Sequence, residues 1–474
     1  MRILKFGGSS IGSPDGFRKV VNIITQTKND GPLVIVVSAL GGVTNKLIEL
    51  IDDSIAQSDS LAGKLHDLLQ RHLDYSETFV AETYRDACIS FLKDEKEKLQ
   101  KKLTGIALLE ECTPKARDFI LSFGEKCAQR LLYDSLRSNG LKVISPEAGS
   151  LIQTNSHYGA ARVNQAGTFQ IIREKLQNLA PEEVAVTAGF LGHDKDGSLT
   201  TLGRDGSDYT AALIGAGLNA RQVEIWSDVD GVLNSDPDII NEAELLLNMH
   251  YREAAEIAFF GAKVLHPKTI RPLEQANITI IMKNTFNPDC PGTRISADQD
   301  DNPNKVKVIT AKNEIVLFNI YVKKARQSSL IFSRFLELLD HLEIPSFMTN
   351  QSSSDASFSV AINAKYAEEL QIHIDDTFSD GFSENYISHI DKQFGFSVVS
   401  AIGLNISRSA PVVAGFFNAL SDAGIESQNI SFGVSGHNIS TLVRNADSIE
   451  AVKILFRNLL MNKNYQSLKL AVNQ

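Results

Sequence analysis

The chain has 474 residues, 43% of them hydrophobic, and a formal net charge of −10 with acidic and basic residues interspersed. That length exceeds one ordinary domain and suits two or three. The charge argues against nucleic acid or anionic membrane as the main partner, but it leaves nucleotide binding open, which needs only local positive charge. No apolar run approaches membrane-spanning length. An apolar strand follows the N-terminus directly, so no signal peptide is expected and the reading is cytoplasmic. The four cysteines, Cys88, Cys112, Cys127 and Cys290, form no C-x-x-C and have no His at finger-like spacing, so they read as reduced thiols, and no metal ligands are expected.

The first strand, Arg2–Phe6, delivers Lys5 into Gly7-Gly8-Ser9-Ser10. Glycines let backbone amides approach an anion without Cβ interference, and the lysine adds a full charge where phosphoryl transfer gathers negative charge. The alternative is an ordinary strand-ending turn. A second strand, Leu33–Ser38, opens into Ala39-Leu40-Gly41-Gly42-Val43-Thr44. There Ser38 and Thr44 read either as holders of a phosphate or carboxylate at a helix start, or as an ordinary turn with Thr44 or Asn45 as the N-cap. A long helical stretch follows, about 44–139, nearly free of Gly and Pro. Gly124 interrupts it, and because a helical Gly costs about 1 kcal/mol relative to Ala it is expected to serve close packing. Its neighbour Glu125 reads as a site for an ammonium group or as a solvated helix glutamate.

Strands are expected at Lys142–Ser145 and Val184–Thr187. Thr200-Thr201-Leu202-Gly203-Arg204-Asp205-Gly206-Ser207-Asp208 then precedes an Ala-rich helix, Tyr209–Gly217. Arginine suits a bidentate grip on a carboxylate or phosphate. A capped turn, with Ser207 as cap, is the competing reading. The strand Gln222–Ser227 ends in Ser227-Asp228-Val229-Asp230-Gly231, at the strand end where α/β sheets bind nucleotides, although an Asx-type turn looks alike. Gly261-Ala262-Lys263-Val264-Leu265-His266-Pro267 adds a cation, with His266 read as the residue that starts a helix. Ile278–Lys283 is the last expected strand of this region. The near-continuous apolar strands suit a mostly parallel sheet covered by helices on both faces.

Residues 298–305 read as a linker. Beyond it the order strand–helix–strand–strand–helix occurs twice. It begins with strands at Ile315–Val322 and Phe396–Gly403, and implies two ferredoxin-like α+β modules from an internal duplication. No G-x-G-x-x-G fingerprint follows, so no dinucleotide-binding activity is expected.

Taken together, K-F-G-G-S-S, S-F-G-E, T-T-L-G-R-D-G-S-D-Y-T-A-A, S-D-V-D-G and G-A-K-V-L-H-P resemble the aspartate kinases of the amino acid kinase family, and the two C-terminal modules resemble ACT domains. The resemblance runs almost end to end. It implies an α/β amino acid kinase sandwich at 1–297 followed by ACT domains at 312–392 and 393–474. It implies phosphoryl transfer from ATP, with Mg2+, to the side-chain carboxylate of L-aspartate. Lys5, Gly7, Gly8, Ser9, Ser227, Asp228, Asp230 and Lys263 would bind ATP. Ser38, Thr44, Glu125 and Arg204 would bind aspartate, and Lys5, Arg204 and Asp208 would serve catalysis. It further implies a homodimer formed through the ACT domains and feedback by an amino acid, with lysine preferred, near Ser328, Ser329, Ser352 and Ser353. Asp205 departs from the commoner Gly or Asn and is expected to point outward.

Overall fold

The computed structural model describes residues 1–28, 31–260, 265–298, 305–323, 325–352, 357–379 and 387–461. They fall into two compact units. One holds Met1–Val232, Leu247–Tyr251 and Leu265–Ala297, and the other the described residues within 233–246, 252–264 and 298–474.

The chain opens with β1 (Arg2–Phe6), α1 (Gly8–Ile11), α2 (Pro14–Thr27) and β2 (Leu33–Val37). The long helical stretch resolves into α3 (Val43–Ile55), α4 (Leu61–Phe79), α5 (Glu82–Leu109) and α6 (Pro114–Ser138). Then come β3 (Lys142–Ile144), α7 (Gln165–Leu176), β4 (Glu183–Ala188), the hairpin β5 (Leu191–His193) and β6 (Leu199–Thr201), α8 (Gly206–Gly217), β7 (Gln222–Ser227) and β8 (Asn248–His250). They are followed by α9 (Tyr251–Phe259), α10 (Pro267–Gln275), β9 (Thr279–Asn284) and β10 (Thr293–Ser296). Ser-Pro and Thr-Pro pairs start two of these helices. Ser13 accepts a hydrogen bond from Gly16 N and Thr113 from Ala116 N, each with proline in the first turn where its missing N–H costs nothing.

Eight strands form one sheet in the order β3-β4-β2-β1-β7-β9-β10-β8, parallel except where β10 runs against β9. The apolar strands alternate between two covered faces. Leu4 and Phe6 join the core built with α2–α6, whereas Ile3 faces Gly215 of α8. This burial on both faces is why β2 reads as an unbroken apolar run and β1 as one broken inside only by Lys5. The short strands β5, β6, β8 and β10 have too few residues to show a period and were not expected.

The second unit contains β11 (Val308–Val322), α11 (Ala325–His341), β12 (Ser346–Gln351), β13 (Phe358–Asn363), α12 (Ala367–Thr377), β14 (Ile387–Ile402), α13 (Ala410–Asp422), β15 (Gln428–Phe432), β16 (Asn438–Arg444) and α14 (Ser448–Leu455). The expected strand–helix–strand–strand–helix order occurs twice. The strands form one antiparallel sheet, β12-β13-β11-β14-β16-β15. Both long strands begin well before the expected 315 and 396, and their extensions are exchanged. Val308–Lys312 pairs with the end of β14, while the start of β14 pairs with Leu317–Val322. Exposed polar residues such as Ser388, His389 and Lys392 interrupt the apolar pattern of the β14 extension, which hides it from a reading of apolar runs. Each module keeps its own core, one around Phe318 and Phe335 and the other around Val399 and Phe416.

Candidate active site

A cavity of about 320 Å³ opens in the first unit at the carboxyl ends of β1 and β2. It gathers seven residues singled out in the sequence: Lys5, Gly8, Ser38, Thr44, Glu125, Arg204 and Asp208. Lys5 is 9% exposed at the end of a buried strand, and its Nζ lies 2.7 Å from Asp208 Oδ1 in the first turn of α8. The ion pair fixes the ammonium in the cavity. Two helix N-termini border the same space and neither has a side-chain cap. α3 starts from Gly42 with φ 82°, and α8 starts from Asp205 with φ 56°. Uncapped termini leave amide donors and a positive dipole end for a ligand, so the cavity is suited to anions. These caps correct the expectation of Thr44, Asn45 or Ser207 as N-cap. Close packing sets the loops: a Cβ on Gly189 would lie 2.6 Å from Ser207 Cβ, which seats α8 hard against the end of β4.

Glu125 is the opposite kind of group. It is 4% exposed, Oε1 accepts from Ala39 N at 3.3 Å, and Oε2 has no hydrogen-bond partner. Burial pushes its carboxyl up to about 7, with the Ala39 amide pulling the other way. A buried carboxylate oxygen without a partner, on the wall of a cavity, is complementary to an ammonium. Gly124 brings it there, because a Cβ at that position would lie 2.6 Å from Ala39 Cβ and 2.9 Å from Val43 Cγ1. The expected close packing is therefore present. Gly124→Ala should lower stability even though alanine favours a helix by about 1 kcal/mol, because overpacking costs about 1–3 kcal/mol. Urea unfolding of the two proteins checks the sign.

Arg204 is exposed on the lining and makes no hydrogen bond or ion pair among the described residues. Asp205 is exposed too and is among the residues that line the cavity. Gly7, Ser9, Ser227, Asp228 and Asp230 are not among the residues that line the cavity. Gly7 N donates to Trp226 O at 3.2 Å, Ser9 Oγ to Asp228 Oδ1 at 3.4 Å, and Asn284 Nδ2 to Asp230 Oδ1 at 2.8 Å. Lys263 and Ser353 lie outside the described residues. His266 caps α10, with Nδ1 accepting from Lys268 N at 3.1 Å, as expected of a residue that starts a helix. In the second unit Ser328 is buried and accepts from Gln351 Nε2 at 3.2 Å, whereas Ser329 is exposed. A second cavity of about 300 Å³ there is lined by Asn319, Asn350, Gln351, Ser352, Ser359 and Asn429 among others, and it does not include Ser328. The sequence reading missed Phe190, which lines the first cavity with φ 67°. A bulky residue in that conformation is strained, and the only local signal is the Gly-Phe pair ending a strand.

The amino acid kinase family model matches residues 1–284. The chain belongs to the amino acid kinase family. An ACT domain model matches residues 399–459. Among relatives of this amino acid kinase, aspartokinase 3, chloroplastic, of Arabidopsis thaliana is 30% identical over 460 residues, covering 96% of this chain and 80% of that one. The bifunctional aspartokinase/homoserine dehydrogenase of Haemophilus influenzae is 30% identical over 465 residues, covering 98% of this chain and 57% of that one. The chain spans between 50% and 57% of the length of such bifunctional relatives. Escherichia coli aspartokinase III, solved with aspartate and ADP, shares the fold with a TM-score of 0.79 at 24% identity over 98% of this chain and all of that one. The expected architecture, a mostly parallel sheet followed by an ACT-type antiparallel sheet, is thus borne out. Among the described residues no helix is long and apolar enough to cross a membrane.

Proposed function

We propose that the chain is an aspartate kinase, which transfers the γ-phosphoryl group of ATP to the side-chain carboxylate of L-aspartate to give 4-phospho-L-aspartate and ADP. One observation carries the reading: a single cavity combines a fixed cation, two uncapped helix termini and a buried unpaired carboxylate oxygen. A substrate with two carboxylates and an ammonium, meeting a polyphosphate, matches that set. Glu125 faces the ammonium and Arg204 the α-carboxylate, with Ser38 and Thr44 donating hydroxyls. Lys5 and the Gly7-Gly8 backbone meet the transferring phosphate, Asp208 orients Lys5, and Ser9, Ser227, Asp228, Asp230 and Lys263 belong to the nucleotide side.

The attacking oxygen belongs to a carboxylate already ionised at neutral pH. No general base is needed, and catalysis rests on alignment and on stabilising charge. Among the described residues no group of three or more His, Cys, Asp or Glu stands ready for a metal. Asp208, a cavity-lining carboxylate beside Lys5, is a residue that would help hold magnesium there, where the ion would neutralise phosphate charge.

ADP release measured with aspartate, with glutamate and with neither tests the reading. Turnover on glutamate in preference to aspartate would overturn it. Arg204→Ala should raise the aspartate KM about 10- to 100-fold, the worth of a charge-assisted hydrogen bond, with little change in the ATP KM. Equal effects on both constants would remove the assignment.

The domain division at 297, 312 and 393, a homodimer through the ACT modules and a cytoplasmic setting belong to the same proposal. So does feedback by an amino acid, lysine being preferred, near Ser328, Ser329, Ser352 and Ser353. Such an effector must bind one conformation better than another to inhibit at all. Titrating activity with lysine, threonine and methionine identifies it.

A further inference from the structure

Arg71 lies on α4 and is not among the residues lining the cavity. Its guanidinium donates through Nη1 to the Gly41 carbonyl at 2.8 Å and through Nη2 to the Gly12 carbonyl at 2.7 Å. These carbonyls belong to different loops. Gly12 ends α1, the short helix that begins at Gly8. Gly41 lies in the β2–α3 loop between Ser38 and Thr44.

The two loops meet at glycines. A Cβ on Gly12 would lie 2.8 Å from Gly8 O and 3.1 Å from Gly41 Cα, and a Cβ on Gly41 would lie 2.8 Å from Gly8 O. Only glycine permits so close an approach, but glycines at a seam have no side chains to interlock. Whatever fixes the seam must come from outside it. One turn further along α4, the Tyr75 hydroxyl donates to Ile11 O at 3.1 Å, so α4 touches α1 at two successive carbonyls.

We propose that Arg71 is a positioning residue for phosphoryl transfer. Its planar fork bridges the loop carrying Gly8 and the loop carrying Ser38 and Thr44, and so sets the distance between the phosphate donor and the carboxylate acceptor. The proposal rests on the reading of those loops as the phosphate and aspartate sides. Guanidinium suits the task because two donors leave one rigid plane in fixed directions, which an ammonium cannot reproduce.

Each loop keeps its own ligand groups when Arg71 is lost, so Arg71→Ala should leave the KM values for ATP and aspartate within about threefold while kcat falls about 100-fold, the effect of a misplacement of about 1 Å. Arg71→Lys should lie between alanine and wild type, and free guanidinium ion at sub-denaturing concentration should restore part of the turnover of Arg71→Ala. A change in one KM alone with kcat intact, or full activity of Arg71→Lys, overturns the proposal. Hydrogen exchange supplies a readout that needs no substrate. Peptides covering residues 7–12 and 40–44 should both exchange faster in Arg71→Ala, and acceleration in one loop only, or in neither, overturns the clamp. If Arg71→Ala does not fold, Arg71→Gln, which reaches one carbonyl at a time, replaces it in both measurements. A wild type inactive on aspartate counts against the functional reading, and the exchange comparison still decides the clamp.

Discussion

Lys5→Ala should lower kcat about 100- to 1,000-fold, the loss that follows removal of one preorganised electrostatic donor. The ammonium is held at the end of a strand buried on both faces and paired with Asp208 at 2.7 Å, so it does not have to reorganise as charge develops on the phosphoryl oxygens. Its removal has a second effect, because Asp208 remains as an unpaired carboxylate in a cavity that must admit a polyphosphate. ATP binding should weaken too. The double variant Lys5→Ala/Asp208→Asn separates the two contributions: nucleotide affinity should recover toward wild type while turnover stays low. If Asp208→Asn alone restores turnover to Lys5→Ala, the lysine acts only by screening Asp208 and not on the transferring group. Steady-state kinetics of the three variants, read as a double-mutant cycle, distinguishes these cases.

How far this site can be read from the sequence depends on whether each residue leaves a local trace. Lys5 does, because it is the one cation inside an otherwise apolar, buried strand segment that runs straight into two glycines. Glu125 does so indirectly, through a glycine that is a misfit in its helix and that turns out to be pressed against Ala39 and Val43. The capping residues were misread for a physical reason. Intrinsic cap preference does not separate Thr44 from Gly42 or Ser207 from Asp205, and the close approach of Gly8 to Gly41 and of Gly189 to Ser207 is a tertiary contact, so left-handed Gly42 and Asp205 take the positions without a local trace. Arg71 leaves no trace at all. On the sequence it is one polar residue of an amphipathic helix, and its two bonds reach carbonyls 30 and 59 residues away. The exchanged halves of β11 and β14 were hidden in the same way, since register between distant strands is a tertiary property that no window of residues encodes.

Glu125→Gln should give opposite effects on stability and on function. In the wild type, burial raises the carboxyl to about 7 from an ordinary 4.5. A raised acid binds its proton more tightly in the folded state, so its contribution to stability is full below about pH 4.5, declines as pH rises toward 7, and stays lost above. The difference amounts to about 3 kcal/mol at one unit per 1.36 kcal/mol. Gln keeps an oxygen to accept from Ala39 N but cannot ionise. The variant should therefore be more stable than wild type at pH 8, by up to that amount, and should lack this part of the decline between pH 5 and 7. Its affinity for aspartate should fall about 100- to 1,000-fold, because an ammonium entering a buried site would no longer find its counter-charge. In the wild type the ammonium needs the ionised form, so aspartate affinity should drop about tenfold per pH unit below 7 and level off above, whereas the variant should show no such titration. Urea unfolding and aspartate binding, each followed from pH 5 to 8, provide the two curves. A variant that binds aspartate normally, or one whose weak binding still titrates near 7, assigns the ammonium to another group.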